Sequence, residues 1–407
     1  MKTLHLFNPT HDLALAAIKV PFTPPRLPRA MERDLMLLPH WYAESSEPSL
    51  CLNAEQLSHA ATHGGYAKAL SLDPFGEGER AIESHLVDLR ESHLSPWGWN
   101  ADLLLRASKA GCIPDGLPTA ETLARQRLLS HRATAVQILQ RLHREIGNGL
   151  CGCSTSCRTP EELLNFRRRH ATHPVLLKQP YSCSGRGLLL LPPHAQAQPP
   201  SAERWIQTCI RQQGSLIAEV FQEKVCDFAM EFEARPPAGK PEATPHIRFA
   251  GYSLFETDSR GAYRGNRLLP DESIEAHISQ YLPVRLLHEV QHRLPALLEE
   301  TLKGTSYQGI LGIDMLVARS GSDYLLLPCV ELNLRMNMGM VAHRITRRIL
   351  AGNDPYLSID LLGGYFRIDY SPLPGGLTTD PAICLHRRRI LTPILPDTRF
   401  CAAIHRA

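Results

Sequence analysis

The chain has 407 residues, of which 43% are hydrophobic, and its 44 Lys and Arg side chains against 41 Asp and Glu leave a formal net charge of +3. Because this length exceeds what one hydrophobic core usually covers, we expect two or three globular domains. So small a net charge gives no field strong enough to favour nucleic acid or an acidic membrane surface as a partner. The sequence has no apolar run long enough to cross a bilayer, and its first residues lack an apolar signal core, which predicts a cytoplasmic enzyme.

Residues 1–118 alternate strand-like and helical segments, which predicts an N-terminal α/β domain. Polar residues follow the first strand, KTLHLF, and the carboxyl ends of strands in an open α/β sheet face the ligand crevice. A proline-rich loop at 20–30 and the segment HLSPWGWN at 93–100 are expected to border a cleft. The substrate candidates from this domain are Asn8, His11, Asp12, Trp97 and Trp99.

The rest of the chain begins with a long helical pattern at 119–146. A helix capped by Thr159, with Pro160 as its first residue, leads into the buried strand PVLLK. Strand patterns then dominate, interrupted by a helical stretch at 282–303 that Pro295 must kink or restart. Two helices, MVAHRITRRIL and PYLSIDLLGGYF, are predicted near the end. The predicted segments are an N-terminal domain at 1–118, a small lobe at 119–215, a larger lobe at 216–370 and a tail at 371–407.

The eleven cysteines are too sparse for a disulfide scaffold in a chain this long, so we expect reduced thiols. One group, CGCSTSC, brings Cys151, Cys153 and Cys157 close together in sequence, and Cys183 is a candidate fourth zinc ligand. Structural zinc sites usually combine two matched pairs of ligands, and the second pair is missing here. A plain loop is therefore the preferred interpretation, with a zinc-binding interaction module as the alternative.

The most informative pattern is a hairpin whose turn is predicted at Gly321-Ser322, because a type II′ turn prefers glycine first. That register places Asp314 opposite Cys329. Period-two alternation then gives one polar face and one apolar face on the second strand. The residues that share the polar face are Asp314, Glu331, Asn333 and Arg335.

In this register Asp314 and Glu331 are diagonal neighbours, with backbones roughly 7–8 Å apart. Two carboxylates converging from there would repel each other unless a cation lay between them, and Asn333 adds a neutral oxygen ligand. Oxygen ligands favour Mg²⁺, with Mn²⁺ as a second choice, and a site with few protein ligands leaves room for nucleotide phosphates. The alternative is a solvated strand face with a salt bridge between Glu331 and Arg335.

A second signal comes from the buried strand that delivers Lys178 to the start of the loop QPYSCSGRG. A lysine there can bind phosphate oxygens, and the backbone N–H groups of Ser184, Gly185 and Gly187 can cradle the rest. The run lacks the G-x-x-x-x-G-K-[ST] spacing and continues as a strand, which excludes the P-loop and Rossmann motifs. The alternative is an ordinary hairpin with a surface lysine.

The order of these motifs resembles that of ATP-grasp enzymes: a strand lysine, a small-residue loop, a later strand glutamate and a terminal strand of the form E-x-N-x-R. The resemblance covers residues 120–350. It implies an α/β fold, with an N-terminal pre-ATP-grasp domain followed by a two-lobed ATP-grasp fold whose lobes are α+β. It also implies that ATP and Mg²⁺ are the cofactors.

The resemblance assigns roles to individual residues. Arg132, next to His131, stands where these enzymes commonly offer a lysine to the phosphates. Asp227 is expected on the ribose, with Glu223 as the alternative. The implied nucleotide-binding residues are Arg132, Lys178, Ser182, Ser184, Gly185, Arg186, Gly187, Glu219, Val220, Phe221 and Asp227. The implied metal ligands are Asp314, Glu331 and Asn333, and the implied catalytic residues are Lys178 and Arg335.

The implied reaction is phosphoryl transfer from ATP to a carboxylate, followed by attack of an amine on the acyl phosphate. Small-molecule carboxylates and amines are therefore the expected substrates, and His246, Arg248 and Arg264 are candidates for orienting the carboxylate. A small-molecule kinase and a non-catalytic nucleotide-binding protein would use the same site and stay open as alternatives. The sequence leaves homo-oligomer formation undecided.

Overall fold

The computed structural model divides the chain into two compact units. The first comprises Met1–Ala124, Arg264–Pro270 and Arg335–Ala407, and the second comprises Arg125–Tyr263 and Asp271–Leu334. The four segments predicted from the sequence are a finer division and stay a prediction. No helix among the described residues is long and apolar enough to cross a membrane. The structure describes residues 2–17, 19–44, 49–113, 116–182, 185, 187–194, 201–240, 243–370 and 388–407.

The N-terminal part of the first unit alternates strands and helices, as predicted. Its elements are β1 (Lys2–Leu6), α1 (His11–Ala17), α2 (Arg26–Asp34), α3 (Pro39–Tyr42), β2 (Leu50–Leu52), α4 (Ala54–Ala60), β3 (Tyr66–Leu72), β4 (Ile82–Asp88), β5 (Ser92–Pro96) and α5 (Ala101–Lys109). The next helix, α6 (Ala120–Leu129), belongs to this unit as far as Ala124. The sheet has the strand order β4-β3-β2-β1-β5, in which β1 is parallel to both β2 and β5. The carboxyl ends of these parallel strands therefore open on the same edge, which is where ligands bind in such sheets.

The second unit begins with a small lobe. Its elements are α7 (Ala133–Glu145), β6 (Ser154–Cys157), α8 (Pro160–Arg169), β7 (Val175–Lys178), β8 (Leu188–Leu191), α9 (Ala202–Gln213) and β9 (Leu216–Val220). The strands pair antiparallel in the order β6-β9-β7-β8. Phe166 of α8 and Ile206 of α9 pack with the buried sheet residues Leu177 and Leu216. The predicted cap of α8 is confirmed, since the Thr159 hydroxyl accepts the N–H of Glu162 at 3.2 Å.

The long helix predicted at 119–146 is wrong in one respect, because it is interrupted between α6 and α7. The backbone N–H of Arg132 donates to the carbonyl of Pro180 at 3.2 Å. The imidazole of His131 accepts the N–H of Ala133 at 3.0 Å through Nδ1 and so caps the start of α7. The bond to Pro180 depends on where the chain folds back, so the periodicity of the sequence could not show the break.

The larger sheet of the second unit follows. Its elements are β10 (Glu223–Arg235), β11 (His246–Thr257), β12 (Tyr263–Arg267), α10 (Asp271–Ile278), α11 (Val284–Thr301), β13 (Gly309–Ser320) and β14 (Asp323–Asn333). Four of these strands pair antiparallel in the order β14-β13-β10-β11, and β12 belongs to the first unit except for Tyr263. Helix α11 continues through Pro295 and does not start anew there.

The C-terminal part of the first unit contains α12 (Met338–Ala351), β15 (Tyr365–Tyr370), β16 (Arg388–Ile390) and β17 (Phe400–His405). The predicted helix PYLSIDLLGGYF is wrong, since a 3-10 turn at Ile359–Leu361 leads into strand β15. A Cβ at Gly364 would lie 2.6 Å from the carbonyl oxygen of His405, so the glycine lets β15 approach β17 closely. Part of the predicted tail, 371–387, lies outside the described residues.

Candidate active site

The hairpin that joins β13 to β14 turns at Gly321-Ser322, as predicted. Gly321 has a φ of 63°, which fits the first position of a type II′ turn. Next to the turn the strands keep the predicted register, with Leu316 opposite Leu327. The prediction therefore holds for the half of the hairpin nearest the turn.

Further from the turn the register shifts, and Asp314 lies directly opposite Glu331. The predicted pairing of Asp314 with Cys329 is wrong because β14 is irregular around Pro328, whose nitrogen cannot donate a hydrogen bond to the ladder. A shift by two residues leaves the alternation of side chains intact, so the polar face survives. Directly opposed residues have Cβ atoms roughly 4.5–5.5 Å apart, closer than the diagonal arrangement that the sequence predicts.

The residues predicted as metal ligands form one group on this face. The amide Nδ2 of Asn333 donates to Oδ1 of Asp314 at 3.1 Å, while Glu331 faces Asp314 across the strand pair. On the other side of β13, Ala229 of β10 is opposite Asp314. Because alanine has a small side chain, it does not cover the carboxylate from that side. The group therefore offers two carboxylates and one amide oxygen at neighbouring positions.

Arg132 already places a cation against this group. Its Nη2 donates to both carboxylate oxygens of Glu331, at 2.9 and 3.0 Å, and its side chain is only 8% exposed. Its Nη1 donates to the backbone carbonyl of Gln179 at 2.6 Å and to the hydroxyl of Ser182. The alternative salt bridge between Glu331 and Arg335 is therefore wrong, since Arg132 is the ion-pair partner. Arg132 therefore links β14, which carries two of the predicted metal ligands, to the start of the Ser/Gly loop.

His131 helps to position Arg132. Burial, together with the nearby charges of Arg127, Arg132 and Arg158, lowers the pKa of His131, so the imidazole stays neutral. Since its Nδ1 accepts the N–H of Ala133, its Nε2 carries the proton and donates to the Ser215 hydroxyl at 3.2 Å. Both ring nitrogens are thus occupied, and His131 has a structural role in this arrangement.

Lys178 and Glu219 form a buried ion pair in the small lobe. The lysine Nζ lies 2.9 Å from the glutamate Oε2, and the two residues are 5% and 6% exposed. The pairing of β7 with β9 explains the contact, because Leu176 is opposite Glu219 and Lys178 lies two residues further along the same face. A surface lysine, the alternative considered for this hairpin, is excluded by this burial.

The buried thiol of Cys329 lies on β14, two residues before Glu331. Burial raises the pKa of Cys329, and the carboxylate of Asp314 raises it further, as do the charges of Glu219 and Glu331. The charge of Lys178 acts in the opposite direction. Cys329 therefore stays a neutral thiol on the strand that carries Glu331.

The Ser/Gly loop packs against the turn between β11 and β12. Gly185 has a φ of 71°, and a Cβ there would lie 2.6 Å from the carbonyl carbon of Gly261. Gly187 has a φ of 68°, and its carbonyl accepts the N–H of Gln179 at 2.8 Å. Both glycines are therefore required by backbone geometry. The remaining phosphate-loop predictions, Ser184 and Arg186, lie outside the described residues, as does Cys183.

The residues predicted to hold adenine lie at the end of β9. Val220 is buried in the core of the small lobe, and its N–H donates to the carbonyl of Cys153 at 2.9 Å. Phe221 is 43% exposed, and its N–H donates to the carbonyl of Pro174 at 3.0 Å. The predicted backbone contacts therefore cannot use these two N–H groups. An exposed aromatic ring beside Glu219 remains suited to stacking on a base.

The ribose candidate Asp227 lies on β10. Its Oδ2 accepts from Lys224 Nζ at 2.5 Å and from the Thr257 hydroxyl at 2.8 Å. The alternative candidate, Glu223, is largely exposed and pairs with Arg319 at 3.1 Å. Asp227 thus has two hydrogen-bond donors, Lys224 and Thr257, and its role on the ribose stays a prediction.

Arg335 belongs to the first unit, where it pairs with Asp12. Arg335 Nε and Nη2 lie 2.9 and 2.8 Å from the two oxygens of Asp12, a bidentate geometry that fixes both side chains. His11 is buried beside them, and burial lowers its pKa to about 4. Asn8 is also buried and bridges the backbone of Gly98, with its Nδ2 2.8 Å from the carbonyl. The predicted catalytic arginine and three substrate candidates thus form one cluster.

Both tryptophans of the segment HLSPWGWN pack in or against hydrophobic cores. Trp97 is 5% exposed and packs edge-on against Phe7, with ring centroids 5.0 Å apart. The ring belongs to the hydrophobic core, and its contact with substrate stays a prediction. Trp99 is partly buried and packs against the core formed by the sheet and helices α4 and α5.

Two of the three candidates for orienting a carboxylate, His246 and Arg248, lie two residues apart on β11. His246 pairs with Glu299 at 2.8 Å, and Arg248 pairs with Glu233 at 2.7 Å. Although burial acts to raise the pKa of Glu233, Arg248 and Arg235 hold it below its usual value. Arg264 is exposed on β12 and lies in the first unit. His246 and Arg248 already have acidic partners, so they do not form a carboxylate clamp in this state.

The cysteine cluster shows no zinc geometry among the residues that the structure describes. Cys157 is buried, Cys151 is partly buried and Cys153 is exposed, with its Sγ 3.4 Å from Nε2 of His170. Burial raises the pKa of Cys151 to about 12, which disfavours the thiolate that zinc requires. Within the described ranges, no three His, Cys, Asp or Glu side chains are grouped closely enough to hold a metal.

Solved structures are similar to this chain in fold. No protein-family model and no curated protein matches it. Biotin carboxylase from Campylobacter jejuni, in a β,γ-ATP complex, is 14% identical with a TM-score of 0.46, over 100% of this chain and 87% of that chain. An N5-carboxyaminoimidazole synthase from Aspergillus clavatus, in complex with ADP and 5-aminoimidazole ribonucleotide, is 11% identical with a TM-score of 0.43. The match covers 100% of this chain and 94% of that chain. D-alanyl-alanine synthetase A from Vibrio cholerae is 11% identical with a TM-score of 0.41, and the match covers 86% of this chain and 93% of that chain.

At such low identities and scores, the similarity concerns the fold alone. One residue that the sequence analysis missed is Glu231, which is 1% exposed on β10 and accepts a hydrogen bond from Ser253 at 3.0 Å. It is opposite Gly312, which is itself opposite Asn333, so it extends the acidic face of the sheet. The signal was present in CDFAMEFEA, where Glu231 and Glu233 stand four and six residues after Asp227, even spacings that share one face of a strand.

Substituting Gly185 with Ala is expected to weaken ATP binding by about tenfold or more, as measured by isothermal titration. The substitution costs roughly 1–2 kcal/mol for the left-handed backbone and also forces the loop away from Gly261. Gly214→Ala is the matched control, because Gly214 has a φ of 80° and a Cβ there would meet nothing within 4 Å. The control should lose stability and keep its ATP affinity. Equal losses of affinity in both variants would contradict a nucleotide role for the loop.

Proposed function

We propose that this chain is an ATP- and Mg²⁺-dependent ligase of the ATP-grasp type, which joins a carboxylate to an amine through an acyl phosphate. The observation that carries the proposal is the direct opposition of Asp314 and Glu331, which Arg132 links to Gln179, the residue that follows the buried Lys178. A divalent cation and a polyphosphate are the ligands that such a combination of charges suits.

The donor set fits Mg²⁺. Asp314, Glu331 and Asn333 offer only oxygens, which a hard cation prefers. The Arg132 guanidinium donates to both oxygens of Glu331, and each carboxylate oxygen has a second lone pair that a cation would use. Mg²⁺ bound there would neutralise charge on the phosphates of the nucleotide.

The phosphate side of the site rests on Lys178. Its ammonium has three N–H donors, and Glu219 takes one of them. The lysine ends β7 and is followed directly by the Ser/Gly loop, so its remaining donors are available where that loop begins. Arg132 reaches the same loop through Ser182. Two cations are thus placed beside the loop that we propose covers the phosphates.

In the proposed reaction, a carboxylate oxygen of the substrate attacks the γ-phosphorus of ATP, and ADP leaves. The amine then attacks the carbonyl carbon of the acyl phosphate, inorganic phosphate leaves, and the nitrogen loses a proton to give the amide. Lys178 and Arg132 balance the charge of the transferring phosphoryl group, which is where most of the catalysis in phosphoryl transfer arises. Arg335 is proposed to steady the acyl phosphate.

Hydroxylamine trapping tests this proposal. Purified protein is incubated with ATP, Mg²⁺ and a panel of small carboxylic acids, with and without hydroxylamine. An acyl phosphate is expected to give a hydroxamate in amounts that match the ADP formed, and chelation of Mg²⁺ should remove both products. ADP formation with a phosphorylated hydroxyl and no hydroxamate would identify a kinase instead. ATP binding with no ADP from any acid would contradict catalysis.

A further inference from the structure

The first unit contains a cavity of about 830 Å³ at the carboxyl edge of its parallel strands. Asn8 follows β1, Asn53 follows β2 and Asn100 follows β5, and all three line it. Ligands in open α/β sheets bind at this edge, and pockets for small molecules commonly measure roughly 300–1,000 Å³. Position and size therefore both suit a small-molecule site.

A buried carboxyl group forms part of the cavity wall. Glu32 lies on α2 and is 5% exposed, and its Oε1 accepts the N–H of Ala54 at 3.1 Å. Burial raises the pKa of Glu32, which the hydrogen bond from Ala54 partly offsets. The charge of Arg106 also lowers this pKa, but the guanidinium itself is paired with Asp102 at 2.8 Å. A buried acid that lacks a direct ion pair is costly, and a ligand ammonium would relieve that cost.

Three arginines with no acidic partner in the described part of the chain also line the cavity. Arg26 and Arg29 lie three residues apart on α2, so their side chains project from the same face of the helix. Arg399 lines the cavity from the strand-like segment before β17. Their guanidinium groups are free to bind an anion, and guanidinium matches carboxylate in a bidentate geometry.

The remaining arginines of this region differ in having acidic partners. Arg33 pairs with Asp34 and Arg106 pairs with Asp102, each at 2.8 Å. Both of these arginines also line the cavity, but their acidic partners neutralise them, which leaves Arg26, Arg29 and Arg399 to bind an anion.

The wall of the cavity is fixed by a network of hydrogen bonds. The Phe22 N–H donates to Asp102 Oδ1 at 2.8 Å, and Arg106 Nη1 donates to the Ser58 hydroxyl at 2.8 Å. Arg106 Nη2 also reaches the Phe22 carbonyl at 3.4 Å. These bonds hold the proline-rich loop against α4 and α5, so the cavity has a built wall.

We infer that this cavity binds a small zwitterion, an amino acid or dipeptide, with its carboxylate on Arg26 and Arg29 and its ammonium at Glu32. The anionic and cationic ends of such a molecule match the two kinds of unpaired charge in the cavity. The inference stands on the first unit alone, so it holds whether or not the second unit performs ligation.

Thermal shift followed by isothermal titration tests the inference with the full chain. The probes are the common amino acids and their dipeptides, with inorganic phosphate as a simple anion. We expect at least one zwitterion to bind, and the double variant Arg26→Gln/Arg29→Gln to weaken it by about tenfold or more. Arg347→Gln is the control, because Arg347 is exposed on α12 in the same unit and does not line the cavity.

A second comparison examines Glu32. N-acetylation of the bound zwitterion removes its ammonium and should weaken binding to the unsubstituted protein, but not to Glu32→Gln, in which that partner is already lost. The glutamine variant loses a buried charge and is expected to fold. The inference would be overturned if no zwitterion bound, or if phosphate alone bound. It would also be overturned if Arg26→Gln/Arg29→Gln and Arg347→Gln bound the zwitterion with equal affinity.

Discussion

Replacing Glu331 with Gln is expected to lower Mg²⁺-dependent ADP formation by about 10²–10³-fold and to leave the protein folded. The substitution removes one of the two opposed carboxylates that we assign to the cation, while the amide oxygen still accepts a hydrogen bond from Arg132. The measurement is the rate of ADP formation across a series of Mg²⁺ concentrations. The concentration of Mg²⁺ that gives half-maximal rate should rise together with the loss in rate.

Glu300→Gln provides the matched control for this prediction. Glu300 also pairs with an arginine, Arg141, at 2.6 Å, but its side chain is 61% exposed. The same chemical change at this surface pair should leave both the rate and the Mg²⁺ requirement unchanged. If Glu331→Gln unfolds the protein, or if it retains full activity at low Mg²⁺, the assignment of Glu331 as a metal ligand is wrong.

Replacing Lys178 with Met should lower the free energy of unfolding by roughly 3–5 kcal/mol and abolish ATP binding. The destabilisation arises because Glu219 is left buried at 6% exposure without its cationic partner. The loss of binding arises because the phosphates lose a charge at the start of the loop. Denaturant titration measures the first effect, and titration with ATP measures the second.

The double variant Lys178→Met/Glu219→Leu separates these two effects. Removal of both charges should restore most of the stability, since a buried ion pair can be replaced by apolar side chains at little cost. ATP binding should stay lost, because phosphate binding requires the lysine. Recovery of ATP affinity in the double variant would show that Lys178 serves only to neutralise Glu219.

Local patterns in the sequence predicted the parts of the site that depend on neighbouring residues. The turn at Gly321-Ser322 follows from the preference of a type II′ turn for glycine. The polar face that carries Asp314 and Glu331 follows from the two-residue period of strands, and it survives the register shift because the shift is even. Lys178 at the end of a buried strand was predicted from the apolar run before it.

Long-range pairing could not be predicted in the same way. The irregularity at Pro328 depends on how β14 meets β13, and it converts a diagonal pair of carboxylates into a directly opposed one. The cavity in the first unit likewise depends on loops from separate strands meeting at one sheet edge. These long-range contacts are determined by packing, which local periodicity does not encode.

The sequence by itself determined which residues we propose for the chemistry, those of Glu331-x-Asn333-x-Arg335 and of the Lys178 loop, because residue type and alternation are local properties. Only the tertiary structure decided their partners: Arg132 for Glu331, Glu219 for Lys178 and Asp12 for Arg335. Each partner lies at least 41 residues away along the chain. Charged groups that leave bulk water take whichever opposite charge the packed chain brings within reach, so the pairing follows from folding.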